Sequence, residues 1–267
     1  MTLYKRMLIA TDGSENSRSA IEHGLEVAKL SNARVTAICV MDAGKKGKPD
    51  PKAEVMCQEA VSNVAELGRK MGIEVETMVV SGQPSNEIIK SSDEFDILVM
   101  GTTGKGGLAN LLLGSVAQSV IRSAPCPVMV VRHTPDMRPA MEVRRRMLVP
   151  TDGSKGAKLA AEHAMRLAQA FEAEIIAMSV VDLDNRCSYD TCWKAVESVK
   201  EEGERLKLKV DVEVVTGTPF IEIVNASAKH DLIVMATSGR TGLAYRRLGS
   251  VAEKVIRQAK CPVIIVK

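Results

Sequence analysis

Short apolar runs alternate along this chain with longer stretches in which apolar residues recur every three or four positions. In the first half the short runs are MLIA, ARVTAICVMD, VETMVV, DILVMG and PVMVV, which are bounded by turn residues and typical of strands buried on both faces. The spacing of Ile21, Leu25 and Ala28, and that of Val61, Val64 and Leu67, predicts helices with one apolar face. Strands that alternate with helices predict an α/β fold with a parallel, doubly wound, Rossmann-like sheet.

The second half of the sequence repeats the first. MLIATDGS at Met7 recurs as MLVPTDGS at Met147, and LLGSVAQSVIRSAPCPVMVV near the end of the first half recurs as RLGSVAEKVIRQAKCPVIIV at the end of the second. Two copies predict two tandem domains, 1–133 and 144–267, each with five strands and four helices. The segment 134–143 is rich in proline and charge, which is typical of a linker.

Composition narrows the class of protein. Of the 267 residues, 45% are hydrophobic and 26% are charged, as in globular proteins. The net charge of +3 is too small to indicate an anionic partner. Aromatic residues make up 3%, too few for a nucleic-acid binder that stacks bases. No apolar run is long enough for a signal peptide or a membrane span, so we expect a cytoplasmic protein that binds neither nucleic acid nor membrane.

The six cysteines are expected to be free thiols, because they are spread over a large chain without an export signal. Cys39, Cys126 and Cys261 lie in or beside apolar runs and are interpreted as small core residues. Cys187 and Cys192 are the only close pair, and their spacing is not usual for a metal or redox site.

Candidate chemistry lies in the loops after the strands, because open parallel sheets bind ligands outside their carboxyl ends. The loop after the first strand places Asp12 in TDGS, and its twin carries Asp152. Such a carboxylate could contact a ribose or a metal ion, or it could serve the turn and the helix cap alone.

The loop after the fourth strand is rich in glycine. Gly101 and Gly104 are followed after nine residues by Gly114 and Ser115, which opens a helix. Glycines permit close backbone approach, and a helix start favours phosphate, although a glycine turn with an ordinary cap is the alternative. P-loop and G-x-G-x-x-G spacings, Ser-His-Asp arrangements and zinc spacings do not occur, so no catalytic or metal-binding residue is predicted.

The spacing G-x2-G-x9-G-[ST], the early TDGS and the late CPV resemble the universal stress protein family, in particular its ATP-binding branch, over 3–133 and 144–267. The resemblance implies the strand order 3-2-1-4-5 and ATP, with or without Mg²⁺, as the ligand. In the first half it implies contacts from Asp12 to ribose, from the Val40 backbone to adenine, from Gly101 and Gly104 to ribose and phosphates, and from Gly114, Ser115 and Val116 to phosphates. The second half offers Asp152, Val180, Gly239, Gly249, Ser250 and Val251, with Ala236 in place of the first glycine. Lys105 and Arg240 either reach the phosphates or are simply solvated.

These observations predict a nucleotide-binding stress-response or regulatory protein, a switch or sensor with at most slow hydrolysis. The alternatives are an enzyme that cleaves ATP or transfers its adenylyl group, and a module that binds another small molecule or a partner. The apolar last strands, Val128–Val131 and Val263–Val266, need partners at their edges. We therefore expect the halves to pair as a pseudo-dimer, and a further homodimer is left open.

Overall fold

The computed structural model describes residues 3–42, 51–104, 113–133, 146–182, 188–237, 239 and 248–267. The chain divides into two compact units, Thr2–Pro135 and Asp136–Lys267, here called the N-terminal and the C-terminal unit. The expected linker, 134–143, lies outside the described residues.

The N-terminal unit is a parallel five-stranded sheet wrapped by helices. Its strands are β1 (Arg6–Ala10), β2 (Arg34–Asp42), β3 (Val75–Gly82), β4 (Ile97–Gly101) and β5 (Val128–Val131), in the order β3-β2-β1-β4-β5. Its helices are α1 (Glu15–Ser31), α2 (Pro51–Lys70), α3 (Pro84–Ser91) and α4 (Ser115–Ser123), and a 3-10 turn covers Ser92–Glu94. The order reverses between β1 and β4, so a crevice opens at their carboxyl ends.

The C-terminal unit has the same architecture. Its strands are β6 (Arg146–Pro150), β7 (Glu174–Asp182), β8 (Val210–Gly217), β9 (Leu232–Ala236) and β10 (Val263–Val266), in the order β8-β7-β6-β9-β10. Its helices are α5 (Lys155–Phe171), α6 (Tyr189–Arg205), α7 (Pro219–Ser227) and α8 (Ser250–Gln258). Both units confirm the predicted fold class and the strand order that the resemblance implied.

Local sequence explains where several helices begin and end. Asn32 ends α1 in the left-handed conformation at φ 50°, where its N–H bonds to the carbonyls of Ala28 and Lys29. Pro84 opens α3, and the Gln83 side chain before it accepts a bond from Asn86 N at 3.0 Å. None of the helices in the described parts of the chain is both long and apolar enough to cross a membrane.

Strand β3 corrects one expectation. Its sequence reads as a strand buried on both faces, but its residues are half-buried or exposed, whereas Ile97–Met100 of β4 are buried throughout. The reason is position, because β3 is first in the strand order of its sheet and β4 lies between two strands.

The cysteines correct another expectation. Cys39 of β2 and Cys57 of α2 form a disulfide, with their Cα atoms 5.3 Å apart, so the prediction of free thiols is wrong for this pair. Cys192 of α6 is also disulfide-bonded, while Cys187 lies outside the described residues. Cys126 and Cys261 are buried and are not disulfide-bonded, as predicted.

Candidate functional site

The loop after β1 is a tight turn organised by an aspartate. Gly13 takes φ +74° and donates its N–H to Thr11 Oγ1 at 3.1 Å. Asp12 Oδ1 accepts the Ser14 N–H at 3.0 Å and the Ser14 hydroxyl at 2.6 Å. One carboxylate oxygen therefore holds the turn, as an aspartate in such a turn does, and the other is directed elsewhere.

The twin loop after β6 has nearly the same geometry. Gly153 takes φ +77°, and Asp152 Oδ1 accepts the Ser154 N–H at 2.9 Å. The Ser154 hydroxyl differs from its counterpart, because it caps α5 by accepting the Ala157 N–H at 3.2 Å. The turn role predicted for the aspartate is thus present in both units, and it occupies Oδ1 in each.

The second oxygen of each aspartate faces the glycine-rich loop of its own unit. A Cβ built on Gly104 would lie 2.5 Å from Asp12 Oδ2, and a Cβ on Gly239 would overlap Asp152 Oδ2 in the same way. Asn16 Nδ2 also donates to the Gly104 carbonyl at 3.4 Å. The two loops that the sequence singled out therefore meet, and a Cβ on either glycine would have to displace the carboxylate oxygen that faces it.

The helix that follows this loop begins with N–H groups that no side chain of the described residues caps. Gly114 is the N-cap of α4 and offers no side-chain cap, and the first helical bond runs from Gln118 N to the Gly114 carbonyl at 2.9 Å. In α8, Glu253 N bonds to the Gly249 carbonyl at 2.9 Å in the same manner. N–H groups at the positive end of a helix suit an anionic group.

These parts enclose a cavity of about 240 Å³ in the C-terminal unit. Its walls come from the ends of β6, β7 and β9 and from the starts of α5, α7 and α8. The lining comprises Pro150, Thr151, Asp152, Ala157, Met178, Ser179, Val180, Asp182, Pro219, Ile223, Met235, Ala236, Thr237, Gly239, Gly249, Ser250, Val251 and Ala252. Every site residue predicted for this half of the chain is among them.

The N-terminal unit carries the same residue type at most of the matching positions. The predicted residues Asp12, Val40, Gly104, Gly114, Ser115 and Val116 correspond to lining residues of the same type in the C-terminal unit. Five lining positions of the C-terminal unit carry another residue type in the N-terminal unit. Pro150, Ala157, Met178, Ser179 and Ala236 correspond there, in this order, to Ala10, Ser17, Ile38, Cys39 and Gly101. Lys105 and Arg240 lie outside the described residues.

Sequence reasoning missed several walls of this cavity. Pro219 and Ile223 come from α7, and Asp182 ends β7. A signal for them existed, because Pro84, Ile88 and Asp42 repeat them in the first half of the chain.

The titratable groups that the structure describes outside the cavity show no cluster suited to a metal ion. Among the residues that the structure describes, no group of three or more His, Cys, Asp or Glu side chains could hold a metal ion. Burial, and secondarily the charge of Arg166, lowers the pKa of His163 in α5 to about 4, so this ring is neutral near pH 7. This histidine does not line the cavity.

Comparison with known proteins agrees with this architecture. The model of the universal stress protein family matches residues 3–132 and again 144–267. A universal stress protein of Mycobacterium tuberculosis is 30% identical, with 98% of this chain and 96% of the relative covered. One from Methanocaldococcus jannaschii is 40% identical over 49% of this chain and 83% of its own length.

A solved structure is similar to this chain over nearly its full length. The crystal structure of a universal stress protein from Archaeoglobus fulgidus superposes with a TM-score of 0.76 at 27% identity, covering 98% of this chain and 96% of that one. The family model, matched twice, and the full-length relative together lead to one conclusion: this chain is a tandem member of the universal stress protein family.

Proposed function

We propose that each unit binds one adenine nucleotide, ATP, at the carboxyl ends of its strands. The observation that carries the proposal is the cavity of the C-terminal unit, which joins an aspartate loop, a glycine loop and a helix start in one space. Membership of the universal stress protein family supports it.

From one end of the cavity to the other, its lining offers groups suited to phosphates, then to ribose, then to a base, which is the order of these parts in a nucleotide. The start of α8 offers N–H groups and the Ser250 hydroxyl for phosphates. Asp152 stands between, where it can accept hydrogen bonds from ribose hydroxyls. Met178, Val180 and Ile223 form an apolar wall at the other end, which suits a base.

A binding role is favoured over a catalytic one. Among the described residues of the cavity, Asp152 and Asp182 are the only charged groups, and no histidine is present to act as a base toward water. We therefore propose a switch or sensor in which ATP biases conformation or partner choice, with hydrolysis slow at most.

The test is calorimetric titration of ATP, with and without Mg²⁺, into the wild-type chain and the variant Ser115→Asp with Ser250→Asp. A carboxylate at each helix start stabilises the helix but repels phosphate, so affinity should fall at least about tenfold while the melting temperature is kept. Ser188→Asp, which adds the same charge at the start of α6 outside the cavity, is the matched control. Unchanged affinity in the folded double variant would remove the phosphate assignment, and a wild-type chain that binds no nucleotide would refute the function.

A further inference from the structure

We propose that the Cys39–Cys57 disulfide is a thiol–disulfide exchange site that controls nucleotide binding in the N-terminal unit. The oxidised pair holds the proposed site in the form that binds ATP more tightly, and reduction by a dithiol weakens the binding. Because it concerns the affinity of the same site, this inference rests on the proposed function.

Cys39 occupies a position that belongs to the cavity wall in the twin unit. Its counterpart is Ser179, which lines the cavity of the C-terminal unit and directly precedes Val180, another lining residue. The strand register is the same in both units, since Cys39 pairs with Val79 and Ser179 pairs with Val214. One end of the disulfide therefore lies in the wall of the proposed nucleotide site.

The other end of the disulfide lies on the helix that packs against this strand. Cys57 belongs to α2, which contacts both β2 and β3. Its counterpart on α6 is Cys192, whose sulfur lies 3.4 Å from the carbonyl oxygen of Val180. The helix cysteine thus lies against the same end of the strand in both units. The C-terminal unit has Ser179 where the N-terminal unit has Cys39, so the disulfide of Cys192 does not reach this position of the wall.

Reduction must move atoms at this position, because the packing around the bond is tight. Cys39 is 3% exposed and Cys57 is 6% exposed. Two bonded sulfurs lie roughly 1.5 Å closer than two nonbonded heavy atoms can pack, so the two thiols must separate once the bond is cleaved. In a close-packed interior, such a shift displaces either the end of β2 or α2. The wall of the site is then no longer held in one geometry, and this loss of pre-organisation lowers the affinity.

The exchange needs only a dithiol as the reductant. One thiolate of the dithiol attacks one sulfur of the Cys39–Cys57 bond, which forms a mixed disulfide and releases the other cysteine as a thiolate. The second thiol of the dithiol then loses its proton and displaces the remaining cysteine. The cysteine pair gains two electrons and two protons, which the dithiol loses as it closes into its own disulfide.

The test compares oxidised and reduced chains that carry Asp152→Ala, so that the N-terminal site is measured by itself. Calorimetric titration should give a roughly fivefold weaker affinity for ATP after reduction with dithiothreitol, within the usual range of coupling between two sites. Circular dichroism at the titration temperature checks that the reduced chain is folded. Cys39→Ser in the same background cannot form the bond, so its affinity should not respond to dithiothreitol. This matched control keeps the disulfide of Cys192, so it also reports any effect of reduction there.

Thermodynamic linkage supplies a second measurement, which does not require the reduced unit to stay folded. Saturating ATP should raise the ratio of reduced to oxidised dithiothreitol that half-reduces the Cys39–Cys57 bond, by the same factor as the change in affinity if both forms are folded. Alkylation of the thiols followed by peptide mass spectrometry measures this ratio. Asp12→Ala, which removes the N-terminal nucleotide site, should abolish the shift.

Three results separate the inference from the proposed function. An affinity that reduction leaves unchanged in the folded chain, or an equal response of the Cys39→Ser variant, would overturn the redox control. A half-reduction ratio that ATP does not shift would overturn it as well. Absence of ATP binding to the oxidised chain would instead refute the proposed function of this unit.

Discussion

Gly104 and Gly239 show why single residues decide the form of this site. Each lies so close to the aspartate of the first loop that a side chain would displace the carboxylate. Since the other oxygen of Asp12 is held by Ser14 N–H, the carboxylate cannot simply rotate away without breaking the turn. The glycine spacing read from the sequence therefore reflects contact between two loops, which is a tertiary requirement.

The two proposed sites differ at the residue that ends the fourth strand of each unit, which is Gly101 in the N-terminal unit and Ala236 in the C-terminal unit. Gly101 does not take a left-handed φ, so strain is not the reason for glycine, but a Cβ there would lie 3.0 Å from the Asn16 carbonyl oxygen. In chains with Asp152→Ala, we expect Gly101→Ala to weaken ATP binding by roughly fivefold, about 1 kcal/mol, because α1 must shift outward.

The reverse change, Ala236→Gly in chains that carry Asp12→Ala, should strengthen the binding of ATP to the C-terminal site. In the wild type, the N-terminal site should therefore bind ATP more tightly than the C-terminal site. Calorimetric titration of ATP measures the affinity in each of these chains. Equal wild-type sites, with no gain from Ala236→Gly, would show that this position does not set their affinities.

At the scale of elements, the Cys39–Cys57 disulfide ties α2 to β2 across 18 residues of sequence. Closing a loop of this length stabilises a fold by about 3 kcal/mol, mainly by restricting the unfolded chain. Cys39→Ser, which introduces the residue found at the matching Ser179, should therefore lower the denaturant midpoint of the N-terminal unit under oxidising conditions.

The two units can be followed separately in that experiment. Trp193, the single tryptophan, lies in the C-terminal unit, so its fluorescence should be nearly unaffected while circular dichroism reports the earlier transition. Dithiothreitol should bring the circular dichroism midpoint of the wild type close to that of the variant. Identical oxidised midpoints for the two chains would contradict the stabilising role of the bond.

Periodicity predicted which segments are strands and helices, but not how far each is buried. Ile97–Met100 and Val75–Val80 both read as apolar runs, yet only the first is buried, since burial depends on the place of a strand in the sheet. The disulfide escaped prediction because compartment arguments say nothing about whether Cys39 faces Cys57. The α7 wall of the cavity, Pro219 and Ile223, escaped because a helix contributes to a site only after it packs.

At the scale of the whole molecule, duplication has kept most of the residue types that line the cavity of the C-terminal unit at the matching positions of the N-terminal unit. The aspartate, the central glycine and the Gly-Ser helix start of the cavity recur at matching positions, as do Thr237 and Ala252 in Thr102 and Ala117. The differences fall on apolar or small residues, and Ser17, whose hydroxyl donates to the Ser14 carbonyl at 2.7 Å, makes a polar contact that its counterpart Ala157 cannot make. The expected pairing of the two halves through their last strands stays a prediction.

We predict that one chain binds two nucleotides, and that each can be removed separately. Asp12→Ala removes both the acceptor that holds the Ser14 turn and the group facing Gly104, so it should abolish the N-terminal site and reduce the calorimetric stoichiometry from two to one. Asp152→Ala should do the same for the C-terminal site, and the double variant should bind none. Asp12→Asn or Asp152→Asn keeps an oxygen that accepts the hydrogen bond of the turn but removes the negative charge. These variants therefore separate the role of the aspartate in the turn from its contact with the ligand. A wild-type stoichiometry of one, unchanged by Asp152→Ala, would mean that only the N-terminal unit retains a working site.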